Sequence, residues 1–332
     1  MKKKLLMVLV FTCLLLSGCG KETEQSILKK LKEKVEDTQA YQVTGDLSIY
    51  SNEDEYAYEV TVSYQKENQF RVLLKNKTNN HEQIILRNED GVYVLTPSLN
   101  KSFKFQSDWP YNNSQVYLLQ TLLSDIQNDK TKEFKETNSD YVFTTTVNYP
   151  NNSDLVKQKI YFDKDLNPSK VEVMNDEGDV LIKMTFKDVN LKAKLDDKVF
   201  TLDNNMKVSE NIDETQTVSE IDGDIYPMYI PENTKLADKE TVSLDNGERV
   251  IMTFEGDNPF MLVEQTVSVS DEDSIVSVMG EPCMMGTGVA ALSDNMVSWI
   301  SNGVEYYVVA DNMSGDELLN VASSVAVIPT SK

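Results

Sequence analysis

The sequence has almost no histidine, the side chain on which much nucleophilic and zinc chemistry depends. His81 is the only histidine in 332 residues, and it lies in the polar segment Asn79-Asn80-His81-Glu82. A serine or cysteine nucleophile usually needs a histidine as its base, and structural zinc needs clustered cysteine and histidine. We interpret His81 as a solvated loop residue, so the sequence disfavours both kinds of site.

Positive charge is also scarce. The formal net charge is −22, and almost all of the basic residues are lysine. Nucleic-acid binding needs a basic surface, so we expect no nucleic-acid partner. An acidic surface of this size also repels anionic lipid head groups.

Motifs for metals and cofactors are missing as well. The acidic runs 271–273 and 222–224 lack the spacing and the glycine of a calcium loop. Gly286-Thr287-Gly288 lacks the length and the lysine of a phosphate loop, and we predict a tight turn there. We therefore predict no metal, no cofactor and no catalytic residue. A carboxylate pair for glycoside chemistry stays open, because no pair stands out among 54 acidic residues.

No apolar run reaches the ~20 residues that a membrane-spanning helix needs. The run at 5–16 follows three lysines and ends at Leu16-Ser17-Gly18-Cys19. This order is typical of a signal peptide, and the small residues before Cys19 resemble a lipobox. We predict a signal peptide at 1–18, lipid attachment at Cys19 and a lipidated tether at 19–25. The alternatives are an uncleaved anchor, or a secretory signal with a chance cysteine.

This interpretation places the mature chain on the extracytoplasmic face of the cell membrane, anchored by its N-terminal lipid. Two or more acyl chains make such anchoring stable. Cys13 would leave with the signal peptide and Cys19 would carry lipid, so Cys283 has no partner for an intramolecular disulfide. We interpret Cys283 as a small buried residue, with a reactive thiol as the alternative.

The mature chain is long enough for two domains. Apolar residues at helical spacing predict a first helix from Ser26, which we take as its N-cap, and a second helix at 114–126. The first helix covers the core or, alternatively, lies on the membrane surface. Alternation of apolar and polar residues predicts strands at 41–49, 56–64, 70–74, 84–86, 92–95, 102–105, 141–147, 160–162, 171–173 and 180–186.

A second unit follows a segment that is acidic and lacks apolar periodicity. We predict a half-buried antiparallel sheet wrapped over the two helices at 26–202, an acidic linker at 203–222 and a small α+β domain at 223–330. Turn signals at 256–259 and 301–303 predict hairpins in this domain. Ser314-Gly315-Asp316-Glu317 has the form of a capping box before a last helix.

The order of these elements resembles the LolA-like fold of lipoprotein carriers and RseB-type sensors. The resemblance covers 26–202 and rests on Val92-Tyr93-Val94-Leu95-Thr96-Pro97, Ile160-Tyr161-Phe162-Asp163, Leu166-Asn167-Pro168 and Val199-Phe200. It implies an α+β fold in which an antiparallel half-barrel sheet has an apolar concave face.

The lipid anchor and the two-domain arrangement look closer to sporulation and germination lipoproteins of spore-forming Firmicutes. A tryptophan strand, an Asn-Gly turn, a tyrosine strand and a capped Glu-Leu-Leu helix at 299–325 carry this likeness. Roles implied by the resemblance are holding acyl groups such as palmitate, sensing envelope components and binding a cell-wall amidase in spore cortex maturation.

Aromatic residues of the first domain are candidates for the lining of a cavity inside the half-barrel. They are Tyr56, Tyr58, Tyr64, Phe70, Trp109, Tyr141, Phe143 and Phe162. The alternative is that they form an ordinary core.

Three functional hypotheses follow from these patterns. The first is a non-enzymatic lipoprotein that binds a hydrophobic ligand or an envelope protein during envelope or spore assembly. The second is a regulator of a cell-wall enzyme such as an amidase, with a solid core and no lipid cavity. The third is an enzyme, which would need two linked carboxylates in one cleft.

Overall fold

The computed structural model describes residues 22–51, 54–207, 221, 224–245, 247–267 and 274–328. The predicted signal peptide and the lipid site at Cys19 lie outside the described residues. Among the described helices, none has both the length and the apolar character needed to span a membrane.

The first unit consists of two packed helices, a short terminal helix and eleven strands. The helices are α1 Glu24–Asp37, α2 Leu119–Asn128 and α3 Leu202–Met206. The strands are β1 Ala40–Ser51, β2 Asp54–Gln65, β3 Gln69–Asn76, β4 Glu82–Asn88, β5 Gly91–Thr96, β6 Lys101–Phe105, β7 Glu133–Glu136, β8 Asp140–Thr146, β9 Lys157–Asp163, β10 Pro168–Met174 and β11 Val180–Asn190.

The second unit has one helix and ten strands among its described residues. The strands are β12 Asp224–Pro227, β13 Thr234–Leu244, β14 Gly247–Gly256, β15 Phe260–Thr266, β16 Ser274–Val278, β17 Glu281–Met285, β18 Gly288–Leu292, β19 Met296–Ser301, β20 Val304–Val309 and β21 Val325–Ile328. The helix, α4, spans Gly315–Ser323 and begins with the predicted capping box between Ser314 and Glu317. Hairpins join β14 to β15 and β19 to β20 at both predicted turns.

Twelve strands form one open sheet in the order β16-β6-β5-β4-β3-β2-β1-β11-β10-β9-β8-β7. The sheet packs its apolar face against α1 and α2, and all of these elements share one core. Alternate residues of β1 are buried, as expected for a strand with one face on a core. The α+β class and the sheet wrapped over helices are therefore confirmed.

Both helices differ from the sequence prediction at their N-termini. The N-cap of α1 is Thr23, whose hydroxyl accepts a hydrogen bond from the Ser26 amide at 3.2 Å, so Ser26 is not the cap. Ile27 and Leu31 are buried in the core, which confirms that α1 covers the core. Helix α2 begins only at Leu119, because Ser114 exchanges hydrogen bonds with Asn148 instead of entering the helix.

Strands β4 and β5 are buried on both faces, although the sequence predicts half-buried strands. Their outer face packs against Phe200 and Met206 in a separate small core. Helix α3 continues to Met206, so the first residues of the predicted linker at 203–222 belong to the first unit. In that linker, 208–220 and 222–223 lie outside the described residues.

A second sheet has the order β13-β14-β15-β20-β19-β18-β17 and packs with α4 around its own core. Strand β16 leaves this unit and pairs in parallel with β6, at the edge of the first sheet. The chain of the second unit thus contributes a strand to the first unit, and the two units share backbone hydrogen bonds.

A candidate binding cavity between the two sheets

The turn between β17 and β18 attaches the second unit to the first sheet. The Tyr58 hydroxyl donates to the Gly286 carbonyl at 2.6 Å, and the Val289 amide donates to Gln83 Oε1 at 2.9 Å. Both hydrogen bonds are buried. A Cβ at position 286 would lie 2.6 Å from the Tyr56 ring, so the predicted tight turn also needs glycine in order to fit against the first sheet.

A buried ion pair lies at the same junction. The Lys101 ammonium of β6 is 2.7 Å from Glu305 Oε2 of β20, and their side chains are 19% and 6% exposed. A second polar contact between the units joins the Ser107 hydroxyl, which donates, to the Glu281 carboxylate. Removing one partner of a buried pair leaves an uncompensated charge, so the junction needs both side chains.

A cavity of about 470 Å³ lies between the concave face of the first sheet and this part of the second unit. Its volume falls in the usual range for sites that bind small molecules. Apolar side chains from both units form much of its wall, among them Leu47, Ile49, Ile85, Trp109, Leu181 and Met284. Amides and hydroxyls add hydrogen-bonding groups, among them Asn113, Gln115, Asn152 and Ser323.

Three ionisable groups in the wall, Cys283, Tyr117 and Tyr149, are held in their neutral forms by burial. Burial raises the pKa of the Cys283 thiol to about 12, and burial also raises the pKa values of Tyr117 and Tyr149. The Tyr117 hydroxyl donates to Gln115 Oε1 at 2.8 Å. Cys283 is half-buried and its thiol stays protonated, which fits a small packing residue better than a nucleophile.

The only formal charge among the described lining residues is negative. Asp154 lies at the exposed rim, and among the lining residues that the structure describes there is no lysine, arginine or histidine. An anionic group inside the cavity would therefore lose its hydration without gaining a cationic partner. The wall suits an apolar molecule whose polar end is neutral or cationic.

Of the eight aromatic residues predicted to line a cavity, the structure places only Trp109 in this wall. Tyr64 and Phe70 pack with their ring centroids 5.0 Å apart, and Phe70 meets Trp109 edge-on at 6.1 Å. Tyr56 and Tyr58 hold the Gly286 turn instead. These four tyrosine and phenylalanine residues serve as core and as attachment for the second unit.

The remaining three aromatic residues cluster at the other end of the sheet. Phe134 packs against Tyr141 and Phe143, with centroid distances of 6.2 and 5.1 Å. Phe143 meets Phe162 edge-on at 6.3 Å. All three predicted residues are buried in the first core, away from the cavity wall.

Sequence periodicity missed most of the cavity wall. Tyr117 lies in the segment predicted as helical at 114–126 but precedes the observed α2, and Tyr149 follows β8 outside any predicted element. Pro282, Cys283 and Met284 come from the second unit and join the wall only through the junction. The one available signal was the segment 281–286, which stands out by its residue types but does not reveal its neighbours.

His81 does not lie in the cavity wall. Its side chain is half-buried, and burial lowers its pKa. Nε2 is buried without a hydrogen-bond partner among the described residues. His81 does lie in a loop, as predicted, but its half-buried side chain shows that the prediction of a solvated residue is wrong. In the described part of the chain, no three His, Cys, Asp or Glu residues are grouped so that they could hold a metal ion.

Asp125 of α2 lies beside the cavity and makes stability depend on pH. Burial raises its pKa from 3.8 to about 6, and hydrogen bonds from Gln158 and Ser114 oppose part of the rise. The folded state thus binds this proton more tightly than the unfolded state. The resulting stability is fully present below pH 3.8 and is lost as the pH rises through about 6.

We expect Asp125→Asn to raise the free energy of unfolding at pH 7 by about 1–2 kcal/mol, after allowance for partial exposure. At pH 4 the variant should differ little from the wild type, because the carboxyl is then largely neutral. Urea denaturation at several pH values between 4 and 7 measures this. Asp188→Asn on an exposed site of β11 is the control. Equal pH profiles for Asp125→Asn and the wild type would contradict the prediction.

Comparison with known families gives a match over the first unit. Residues 1–200 match the family model described as "Sporulation protein YdcC-like". The chain is also 36% identical over 323 residues to sporulation protein YdcC of Bacillus subtilis strain 168, which covers 97% of this chain and 96% of that protein.

Solved structures show weaker likeness. The MucA/MucB complex of Pseudomonas aeruginosa aligns with 14% identity over 91% of this chain and 99% of that chain, with a TM-score of 0.33. A LolA superfamily protein of Nitrosomonas europaea aligns with 16% identity over 55% of this chain and 99% of that chain, with a TM-score of 0.32. A chain of the complex between the CwlD amidase and the GerS lipoprotein of Clostridioides difficile aligns with 17% identity. The alignment covers 51% of this chain and 96% of that chain, with a TM-score of 0.31.

Proposed function

Because the chain belongs to the YdcC-like family of sporulation proteins, we propose that it is a non-enzymatic binding protein of the cell envelope, which holds an apolar ligand between its two sheets. The cavity of about 470 Å³ carries this proposal. The protonated Cys283 thiol supports a binding role rather than a nucleophilic one.

The proposed location at the cell envelope rests on the sequence of residues 1–21, which precede the described residues. The lipobox at 16–19 would attach lipid to Cys19 and anchor the chain to the extracytoplasmic face of the cell membrane. The predicted tether at 19–25 overlaps α1, which begins at Glu24 with Thr23 as its N-cap. The segment 19–23 ahead of the helix would hold the start of α1 within about 18 Å of that membrane, at ~3.3–3.6 Å per residue. A local receptor then fits better than a carrier that crosses the envelope.

The lining selects among apolar ligands. A fatty acyl chain such as palmitate matches the apolar wall, but a free carboxylate or phosphate would find no cation there. We therefore propose an acyl or aromatic ligand whose polar end is neutral or cationic. Amides such as Asn113 and Gln115 would provide its hydrogen-bond partners.

We expect Leu181→Trp, which adds side-chain volume inside the cavity, to weaken binding of the uncharged dye N-phenylnaphthylamine about tenfold. Fluorescence titration of the full chain measures the change in Kd. Leu236→Trp is the matched control, since Leu236 is exposed on β13 and does not border the cavity.

A second dye tests the charge of the lining. Anilinonaphthalene sulfonate has the same kind of apolar body with an added sulfonate, and it should bind at least about tenfold more weakly than the neutral dye. Equal binding of both dyes would contradict the proposed ligand class. Equal binding of the neutral dye by Leu181→Trp and the wild type would contradict the cavity as the binding site.

A second candidate function is docking of a partner protein, such as a cell-wall enzyme of the amidase type. Three apolar residues in a row, Met228, Tyr229 and Ile230, are exposed beside the cavity mouth, where Tyr229 also contributes to the lining. Exposed apolar patches of this kind are common at protein interfaces. Affinity capture from envelopes with the wild type and with a Met228→Ser, Ile230→Ser variant tests this candidate. A partner retained equally by both proteins would exclude this surface.

A further inference from the structure

The two large sheets have four edge strands, and three of them are protected against pairing with another chain. Strand β7 carries Glu133, Lys135 and Glu136, and the long strand β13 carries both acidic and basic residues. Strand β17 is covered by the first unit, where Glu281 accepts a hydrogen bond from Ser107 and Cys283 borders the cavity. Charges and covering elements are the usual means by which proteins block open edges.

In the part of the chain that the structure describes, the fourth edge, β16, has neither charged side chains nor a covering element. Its sequence, Ser-Ile-Val-Ser-Val, contains no charge and no proline. Ile275 and Val276 point to opposite faces of the strand, and they are 52% and 46% exposed. Among the described strands, the first sheet ends at β16. Uncharged strands with branched side chains at a sheet edge are well suited to pairing with another strand.

The backbone of β16 leaves hydrogen-bonding groups on its outer side. The Val278 carbonyl faces inward, because it accepts a hydrogen bond from the Gln106 amide at 3.4 Å. The N–H and C=O of one strand residue point to the same side, and successive residues alternate. Ile275 and Ser277 therefore direct their N–H and C=O groups away from β6.

We propose that β16 is a docking edge for an extended segment of a partner protein, which adds a strand to the first sheet. Such a segment would carry alternating apolar side chains to meet Ile275 and Val276, as in other complexes formed by strand addition. This surface does not border the cavity, so the proposal stands apart from ligand binding.

Charge decides between a partner segment and a second copy of this chain. The formal net charge of −22 opposes association of two copies and attracts a basic segment over a longer range. The preferred occupant is therefore an extended peptide of alternating apolar residues with lysine or arginine at its ends.

The probe is a fluorescein-labelled peptide of alternating valine and threonine with two lysines at each end. We expect the full chain to bind this peptide in fluorescence anisotropy at low salt. Ser277→Pro should weaken binding about tenfold, because proline removes the outward N–H and is tolerated at an edge strand. Ser277→Ala keeps that N–H and should bind like the wild type. A peptide with glutamates in place of the lysines should bind about tenfold more weakly.

A second variant tests the same edge in case Ser277→Pro fails to fold. Ile275→Lys places a charge on the edge and should also abolish binding, whereas Met261→Lys, at an exposed site on β15, should not. The cavity variant Leu181→Trp should bind the peptide normally, which separates the edge from the cavity.

Three results would overturn the proposal. One is the absence of peptide binding by the wild type up to about 1 mM. Another is equal binding by the wild type, Ser277→Pro and Ile275→Lys. The third is a dimer in analytical ultracentrifugation that Ser277→Pro dissociates, since that result would assign the edge to a second copy.

Discussion

Replacing Lys101 with methionine should lower the free energy of unfolding by about 3 kcal/mol. The reason is that Glu305, whose side chain is only 6% exposed, would lose the ammonium 2.7 Å away and remain as a buried charge. Tyr307 still hydrogen-bonds to Glu305. The expected loss of stability therefore lies at the lower end of the ~3–5 kcal/mol that breaking a buried ion pair usually costs. Urea denaturation at pH 7 measures the change. Because the pair joins the two sheets, we also expect weaker binding of the neutral dye below the unfolding transition.

A matched pair elsewhere on the first sheet provides the control. Lys75 and Glu82 lie 3.5 Å apart, with side chains 38% and 28% exposed. Lys75→Met should cost less than about 1 kcal/mol, since water screens an exposed pair. The double variant Lys101→Met, Glu305→Gln should recover part of the loss, because no buried charge is left unpaired. Equal losses for Lys101→Met and Lys75→Met would contradict the proposed role of the buried pair.

Gly45→Ala should destabilise the fold by about 3 kcal/mol or more, as overpacking with no room to relax. A Cβ at this position would meet the Thr185 carbonyl oxygen and would lie 2.6 Å from Met184 Cε. The pairing of β1 with β11 shifts register between Thr44 and Gly45, so the two strands approach closely there. A thermal melt together with urea denaturation measures the loss.

Gly178→Ala is the matched control for this steric argument. Gly178 has a φ of 92°, but nothing lies within 4 Å of an added Cβ. Alanine there should cost only about 1 kcal/mol, from backbone strain alone. Equal losses for the two variants would contradict the clash, because Gly45 is not among the glycines with a positive φ and has no backbone strain of that kind to add.

Gly45 also matters for the cavity. Strands β1 and β11 join the two halves of the first sheet, and Leu47 of β1 and Leu181 of β11 both border the cavity. Displacing β1 from β11 should therefore change the cavity wall as well as stability. Reduced binding of the neutral dye by any folded Gly45→Ala protein would show this coupling.

The local pattern of the sequence predicted every strand of the first unit except β7, and the two hairpins β14–β15 and β19–β20 of the second unit. It did not predict β12, β13, β16, β17, β18 or β21. Alternation along β1 and β2 requires one buried face, and the asparagine-glycine turn at 302–303 takes the positive φ values that its residues tolerate. The capping box at Ser314 and Glu317 was predictable for the same reason, because both partners lie within one helical turn. The family match confirms the predicted likeness to sporulation proteins.

The sequence by itself determined the α+β class and the sheet over two helices, whereas the lipid site at Cys19 stays a prediction. Each of these depends on residues near one another in the chain. Only the tertiary structure decided that β16 joins β6, that Lys101 pairs with Glu305, and that Trp109 alone among the predicted aromatic residues lines the cavity. Periodicity shows which face of an element is buried but not which distant segment covers that face. The cavity exists because residues 282–286 of the second unit close over strands of the first sheet that are distant from them in the chain.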